Sequence, residues 1–311
     1  MGKYNKLNCI IYIRNTFYSE VGIGISANTI LFLFHLIKFL FDNRIKKTDM
    51  IIGLLALIHL LMLLIMGFIA TDSFTSLGGL WDDITCKSVI YLYRFLRGFS
   101  ISATCLLSVL QAITLSPRGS CLAKFKSRTP QDSLRWLVFL WVFYMSFSAH
   151  FSISAVANST VSSQGLVFVS DSCTILPMTY FPRHLFSILG VFQDIFLIGF
   201  MVLLSGYMVT LLCRHRRQYQ QLHSTSLCTQ ASQKQRATRT ILLLMSFFVL
   251  LYSLDCIIFS SRIMWNNDSI CHSIQMMVSN GYATISPLVF ICTEKQSVDF
   301  LKCLWGRKVN V

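Results

Sequence analysis

The chain has 311 residues, is 54% hydrophobic and only 13% charged, and has a mean hydropathy of +0.60. That balance excludes a water-soluble globular domain and marks an integral membrane protein. The net charge of +14 suits either nucleic acid or the cytoplasmic side of a membrane. The basic residues recur at successive loops instead of forming one stripe, which argues against nucleic acid as a partner.

In chain order, Met1 to Arg14 mixes Lys3, Asn5, Lys6 and Asn8 with short apolar runs and shows no small-residue cleavage site. The first span is therefore expected to act as its own insertion signal. Seven stretches have the length and apolar content to cross a hydrocarbon core of about 30 Å: roughly 17–41, 49–70, 85–113, 134–157, 184–213, 238–260 and 270–292. The expected architecture is an all-α seven-helix bundle forming a single domain over 1–311, with no internal repeat and no low-complexity linker. An odd number of spans puts the termini on opposite sides. With the amino-terminus outside, nineteen of the 27 Lys and Arg fall on inner segments and six on outer ones, leaving Arg94 and Arg97 within the third span. The bias predicts amino-terminus out and carboxyl-terminus in, next to membrane lipid on both sides.

Under that topology the sequons at Asn158 and Asn267 lie outside and are expected to carry glycans. Cys86, at the outer start of the third span, and Cys173, in the outer loop after the fourth, share the oxidising side and fit a disulfide that tethers the loop over the bundle mouth. Cys9 and Cys271 are competitors on the same side, and the other cysteines of the eleven read as small buried hydrophobes. At the carboxyl end, Phe300, Leu301, Leu304 and Trp305 interleave with Lys302, Arg307 and Lys308. They predict a short amphipathic helix on the inner leaflet, with Cys303 a candidate for palmitoylation.

The third span carries the chemistry. Arg94 and Arg97 stand at i, i+3 in an apolar helix, and an arginine facing lipid costs several kcal/mol even after snorkelling, so both are expected to face a polar cavity. With Tyr93 they suit an anionic or strongly accepting small molecule. Phe192, Gln193 and Asp194 from the fifth span, Tyr252 and Asp255 from the sixth and Gln275 from the seventh are candidate co-lining residues. Asp194 or Asp255 pairing internally with an arginine is the alternative. No phosphate loop, His-Glu-x-x-His or Gly-x-Ser-x-Gly is present, nor a pair of carboxylates at helical spacing within one span, so neither an enzyme nor a metal or cofactor site is expected.

The run Arg97-Gly98, then Thr104-Cys105-Leu106-Leu107-Ser108-Val109-Leu110-Gln111-Ala112-Ile113-Thr114-Leu115-Ser116-Pro117, resembles the third-helix signature of vomeronasal type-1 receptors. Gly206, Met208-Val209, Arg214-His215-Arg216-Arg217-Gln218, Arg236-Ala237-Thr238-Arg239 and Ala283-Thr284-Ile285-Ser286-Pro287 extend the resemblance from Ile25 to about Trp305. It implies a multi-pass plasma-membrane receptor for a pheromone-like small molecule, acting through a heterotrimeric G protein of the Gi/Go class. Gln111, Arg214, Arg216, Arg217, Arg236 and Arg239 would face the G protein, Gln111 alternatively being only an interfacial polar group. Where rhodopsin-like receptors carry Asp-Arg-Tyr, this chain has Leu110-Gln111-Ala112, so a charged lock is chemically absent there. His59 stands where many of them place a sodium-holding aspartate, and is expected to be an interior hydrogen-bonder, with Asn28 as a candidate partner. Ser286-Pro287-Leu288-Val289-Phe290 keeps the helix-bending proline and lacks the tyrosine. A bitter-taste-like receptor and a small transporter using the intramembrane arginines are the competing readings, the second lacking the repeat it calls for.

Overall fold

A backbone in hydrocarbon must satisfy every N–H and C=O within its own segment, and the apolar stretches accordingly form long helices. The computed structural model describes residues 2–41, 47–75, 81–116, 135, 138–139, 141–146, 148, 155–157, 167–168, 173–175, 180–221, 239–240, 242–255, 257–258 and 269–293. The helices are α1 (Gly2–Phe41), α2 (Lys47–Thr75), α3 (Asp83–Leu115), the described part of α4 (141–146), α5 (Tyr180–Gln221), α6 (Leu242–Asp255) and α7 (Ser269–Thr293). Four described stretches are long and apolar enough to cross a membrane: Ile11–Phe41, Thr48–Asp72, Asp83–Leu115 and Ile195–Arg214. At 40 residues α1 is about 60 Å long, twice the hydrocarbon thickness, so its first turns continue past the apolar stretch.

Local chemistry sets the ends of α3. The Asp82 carboxylate caps the helix by accepting the Thr85 N–H at 3.0 Å. The Thr85 hydrogen bonds hold this exposed carboxyl below its usual range, so the cap is intact above the ordinary carboxylate pKa of 3.8 and fails as pH falls below it. At the other end Ser116 takes extended dihedrals of −63° and 136°, as a residue preceding proline must, and both its hydroxyl (2.8 Å) and its N–H (3.1 Å) bond back to the Ala112 carbonyl.

Beyond the helices lies a three-stranded antiparallel sheet ordered β1-β3-β2: β1 (Ala155–Ala157), β2 (Val167–Phe168) and β3 (Cys173–Ile175), with Ala157 opposite Cys173 and Val167 opposite Ile175. β1 occupies the last three residues of the stretch read as a fourth span. β3, the middle strand, is bonded to α3 through a Cys86–Cys173 disulfide whose Cα atoms are 5.7 Å apart. Both sulfurs are fully buried, packed with Ile90 beside Trp81.

The core runs along α2 and α3, where Leu55, Ile58, Phe99, Ile101 and Leu107 meet Met201 and Met208 of α5 and Leu244 and Met245 of α6. Without a hydrophobic drive between helices in lipid, close backbone approach supplies the packing, and glycines permit it. A Cβ on Gly98 would lie 2.3 Å from the Tyr144 ring of α4, and one on Gly24 would lie 2.7 Å from both Leu63 of α2 and Thr284 of α7. Gly98→Ala is therefore expected to cost about 1–3 kcal/mol in an unfolding titration of the purified chain, since a ring cannot yield by a full ångström without strain. Gly199→Ala, whose Cβ meets nothing within 4 Å, is expected to be neutral or slightly stabilising.

The carboxyl-terminal amphipathic stretch, both sequons and Arg236 lie outside the described residues, as do the side chains of Arg216 and Arg217.

Candidate ligand site between α3, α6 and α7

Arg97, Ser100, Ile101 and Thr104 share one face of α3, Tyr252 and Asp255 stand at i, i+3 on α6, and Ser279 and Tyr282 do so on α7. Their convergence builds a charged cluster. The Arg97 guanidinium donates through Nη2 to Asp255 Oδ2 and through Nη1 to Ser279 Oγ. The Ser279 hydroxyl donates to Asp255 Oδ1 at 3.2 Å, and the guanidinium carbon lies 5.4 Å from the Tyr252 ring centre. The paired side chains are only 20% and 11% exposed. At an effective dielectric of ~20 such a contact pair attracts by roughly 4 kcal/mol, of the same order as the cost of drying its two ions. The pair thus adds little net stability while fixing how three helices meet.

Deeper in the bundle a neutral relay continues the cluster. His59 of α2 has Nε2 2.7 Å from Ser100 Oγ and Nδ1 2.9 Å from Ser286 Oγ, and its ring stands edge-on to Tyr282 at 5.3 Å. A neutral imidazole supplies one donor and one acceptor, which two hydroxyls match in either tautomer. Tyr282 Oη lies 3.2 Å from Thr104 Oγ1. Asn28, the partner expected for His59, instead donates to the carbonyls of Gly24 (2.8 Å) and Ala283 (2.9 Å), fastening α1 to α7.

A cavity of about 30 Å³ separates cluster and relay, lined by His59, Met62, Arg97, Phe248, Tyr252 and Tyr282 among others. It has room for about two water molecules, where organic ligands need about 300 Å³ or more. Arg97 and Asp255 form part of its wall.

Of the nine residues read from the sequence as ligand candidates, the structure brings together Arg97, Tyr252 and Asp255. Tyr93 lies one turn away on α3, half-buried, its hydroxyl buried without a hydrogen-bond partner among the described residues. Gln275 lies one turn from Ser279 on α7 and is half-buried. Arg94 is exposed, and Phe192, at 68% exposure, is on the outer surface of α5 away from the cluster. The side chains of Gln193 and Asp194 are outside the described set. Sequence reasoning passed over Ser100, Ser279, Tyr282 and Ser286. Their i, i+3 and i, i+4 register with better candidates was the available signal, and serine alone is too common in membrane helices to give one. At the end of the bundle remote from the disulfide, Gln111 is half-buried, Arg214 and Arg239 are exposed, and Ser116 Oγ lies 2.9 Å from Tyr207 Oη, joining α3 to α5.

Known proteins give a consistent result. The squid rhodopsin crystal structure superposes with a TM-score of 0.73 over 96% of this chain and 87% of that one at 14% identity, which shows the seven-helix receptor fold. Vomeronasal type-1 receptor 90 of Rattus norvegicus is 59% identical over the full length of both chains. Receptor 94 of the same species is 52% identical over 100% of this chain and 95% of its own, and receptor 53 of Mus musculus is 49% identical over the full length of both. The model of the vomeronasal organ pheromone receptor family matches residues 11–303. With the family model matching residues 11–303 and these relatives aligning over the whole chain, the chain belongs to the vomeronasal type-1 receptors and is a multi-pass membrane chemosensory G-protein-coupled receptor.

Proposed function

We propose that this receptor, with its amino-terminus outside, takes a small pheromone-like ligand in the half of the bundle nearest the disulfide, and that the ligand acts by displacing Asp255 from Arg97. One observation carries the reading: a single ion pair, with Ser279 and Tyr252, joins α3, α6 and α7 at a cavity too small for an organic molecule. A ligand with a carboxylate, a sulfate or another strong acceptor competes for the planar Arg97 fork, which accepts such groups in bidentate fashion. Seating it requires α6 and α7 to part from α3. The ligand thus binds one arrangement far better than the other, which is the requirement for shifting a two-state equilibrium. The opposite end, with Gln111, Arg214, Arg216, Arg217, Arg236 and Arg239, then opens toward a heterotrimeric G protein of the Gi/Go class.

The test is G-protein activation in membranes of cells expressing the chain with a Gi/Go-class heterotrimer, screened against volatile, sulfated and steroid ligand pools. Arg97→Lys keeps the positive charge but not the fork, and is expected to raise the half-maximal ligand concentration tenfold or more, about 1.4 kcal/mol. Arg94→Ala is expected to respond as the parent does. A response unchanged by Arg97→Lys would make Arg97 a structural residue, and a response only through a Gs-class protein would overturn the coupling.

A further inference from the structure

A ligand acceptor that takes Arg97 from Asp255 leaves the aspartate behind. Asp255 is buried, and once the guanidinium has gone its remaining hydrogen bond among the described residues is the one from the Ser279 hydroxyl to Oδ1. A buried carboxylate without its counter-ion keeps the cost of leaving water and loses what offset that cost. A simple anion therefore satisfies one charge and strands another. The cavity wall offers Asp255 no second cation: Arg97 is its only Lys or Arg, and His59 has both ring nitrogens engaged by Ser100 and Ser286. The replacement has to arrive with the ligand.

Ser279 shows what kind of group fits between the two charges. Its hydroxyl accepts from Arg97 Nη1 and donates to Asp255 Oδ1, facing the cation with a lone pair and the anion with a proton. A hydroxyl carries no charge, however, and what Oδ2 loses is a contact with a cation. Charge-assisted bonds are roughly twice as strong as neutral ones, so the matching head carries an ammonium for Asp255 beside a carboxylate for the planar Arg97 fork. Such a head brings no net charge to a resident pair that is itself neutral. Arg97 and Asp255 are in direct contact before it enters, so the shortest head, with both charged groups on one carbon, parts the helices least. Met62, Ile101, Phe248 and Leu251 line the same cavity and suit an apolar body.

We infer that this site reads a zwitterion: an α-amino acid with an apolar side chain, its carboxylate on Arg97 and its ammonium on Asp255. The assignment rests on the exchange of Arg97 partners proposed above and narrows the ligand that performs it.

The test compares matched probes on the whole chain in phosphatidylcholine nanodiscs, with dissociation constants from calorimetric titration. Norleucine, leucine and phenylalanine are set against their deamino acids (hexanoate, isocaproate and hydrocinnamate) and their decarboxylated amines (pentylamine, isoamylamine and phenethylamine). At least one amino acid is expected to bind, with its deamino acid and its amine each weaker by about tenfold or more. Asp255→Asn keeps the shape and removes the charge, and should bring amino acid and deamino acid to within about threefold of one another. Arg97→Lys should weaken both and leave their ratio as it was. If Asp255→Asn does not fold, the three probe series decide the matter on the parent receptor. A deamino acid that binds as tightly as its amino acid overturns the zwitterion, and the exchange itself still stands if Arg97→Lys weakens that binding. Amino-acid binding that Arg97→Lys leaves unchanged overturns both, and silence of all three amino acids overturns the zwitterion alone.

Discussion

Arg97→Met and Asp255→Leu, each made alone, are expected to destabilise the receptor by about 3–5 kcal/mol, while the double variant returns to within about 1–2 kcal/mol of the parent. Removing the arginine strands a carboxylate at 11% exposure with only the Ser279 hydroxyl on its other oxygen; removing the aspartate strands a guanidinium held by Ser279 and the Tyr252 ring. Each lone charge keeps its desolvation cost and loses its compensation. Removing both charges removes both costs, and two apolar side chains of similar bulk fill the site. Unfolding titrations in nanodiscs measure all four forms. The same four forms separate stability from switching. In the double variant nothing charged holds α6 and α7 to α3, so its ligand-free G-protein activation is expected to rise although its stability has recovered. Single variants within about 0.5 kcal/mol of the parent would mean that water reaches the pair and that it does not fasten the helices.

That cluster also marks where sequence reasoning reaches and where it stops. An arginine in an apolar helix announces a polar interior because hydrocarbon admits no other solution, so Arg97 was legible from one helix alone. Its partner was not. Asp255 could be named only as a ligand residue or an internal counter-ion, since the choice depends on how α6 is rotated against α3. Arg94 shows the same limit from the other side: three residues is most of a helical turn, but the remaining 60° is enough to leave one arginine exposed while the other is half-buried against α6 and α7. His59 was correctly a hydrogen-bonding interior residue, but its partners came from α3 and α7 instead of α1, because serine hydroxyls give no signal until helices are placed. The strand Ala155–Ala157 escaped notice because three small apolar residues carry no period, and its pairing partner lies across a covalent tether. Apolar length, which drew the spans, is set by the bilayer. Helix rotation, which makes the site, is set by contacts between segments far apart in sequence.

Cys86→Ser, Cys173→Ser and the double variant are expected to lose the same amount, about 2–4 kcal/mol, because each breaks one and the same bond. For a free chain, closing a loop of 87 residues would place the effect near 4–5 kcal/mol on loop entropy alone. In a bilayer the unfolded state keeps its helices inserted, so the ends of the loop are already confined and the bond has less freedom to remove. The expected loss is then at the lower end of the range. The damage is nevertheless local and specific. β3 is the middle strand, β1 and β2 pair only through it, and strands of two or three residues do not hold together in water without an anchor. Losing the bond therefore releases the whole sheet from α3, and with it the cover over Ile90 and Trp81. Hydrogen exchange is expected to accelerate across Ala155–Ala157 and Cys173–Ile175 by far more than it does in the α2–α3 core, and ligand responses should weaken before the bundle itself unfolds. Cys271→Ser and Cys9→Ser, on the competing cysteines, are expected to leave exchange in the sheet unchanged. If either reproduces the loss seen with Cys86→Ser, the tether in the membrane-embedded receptor is not the Cys86–Cys173 bond and the sheet is anchored elsewhere.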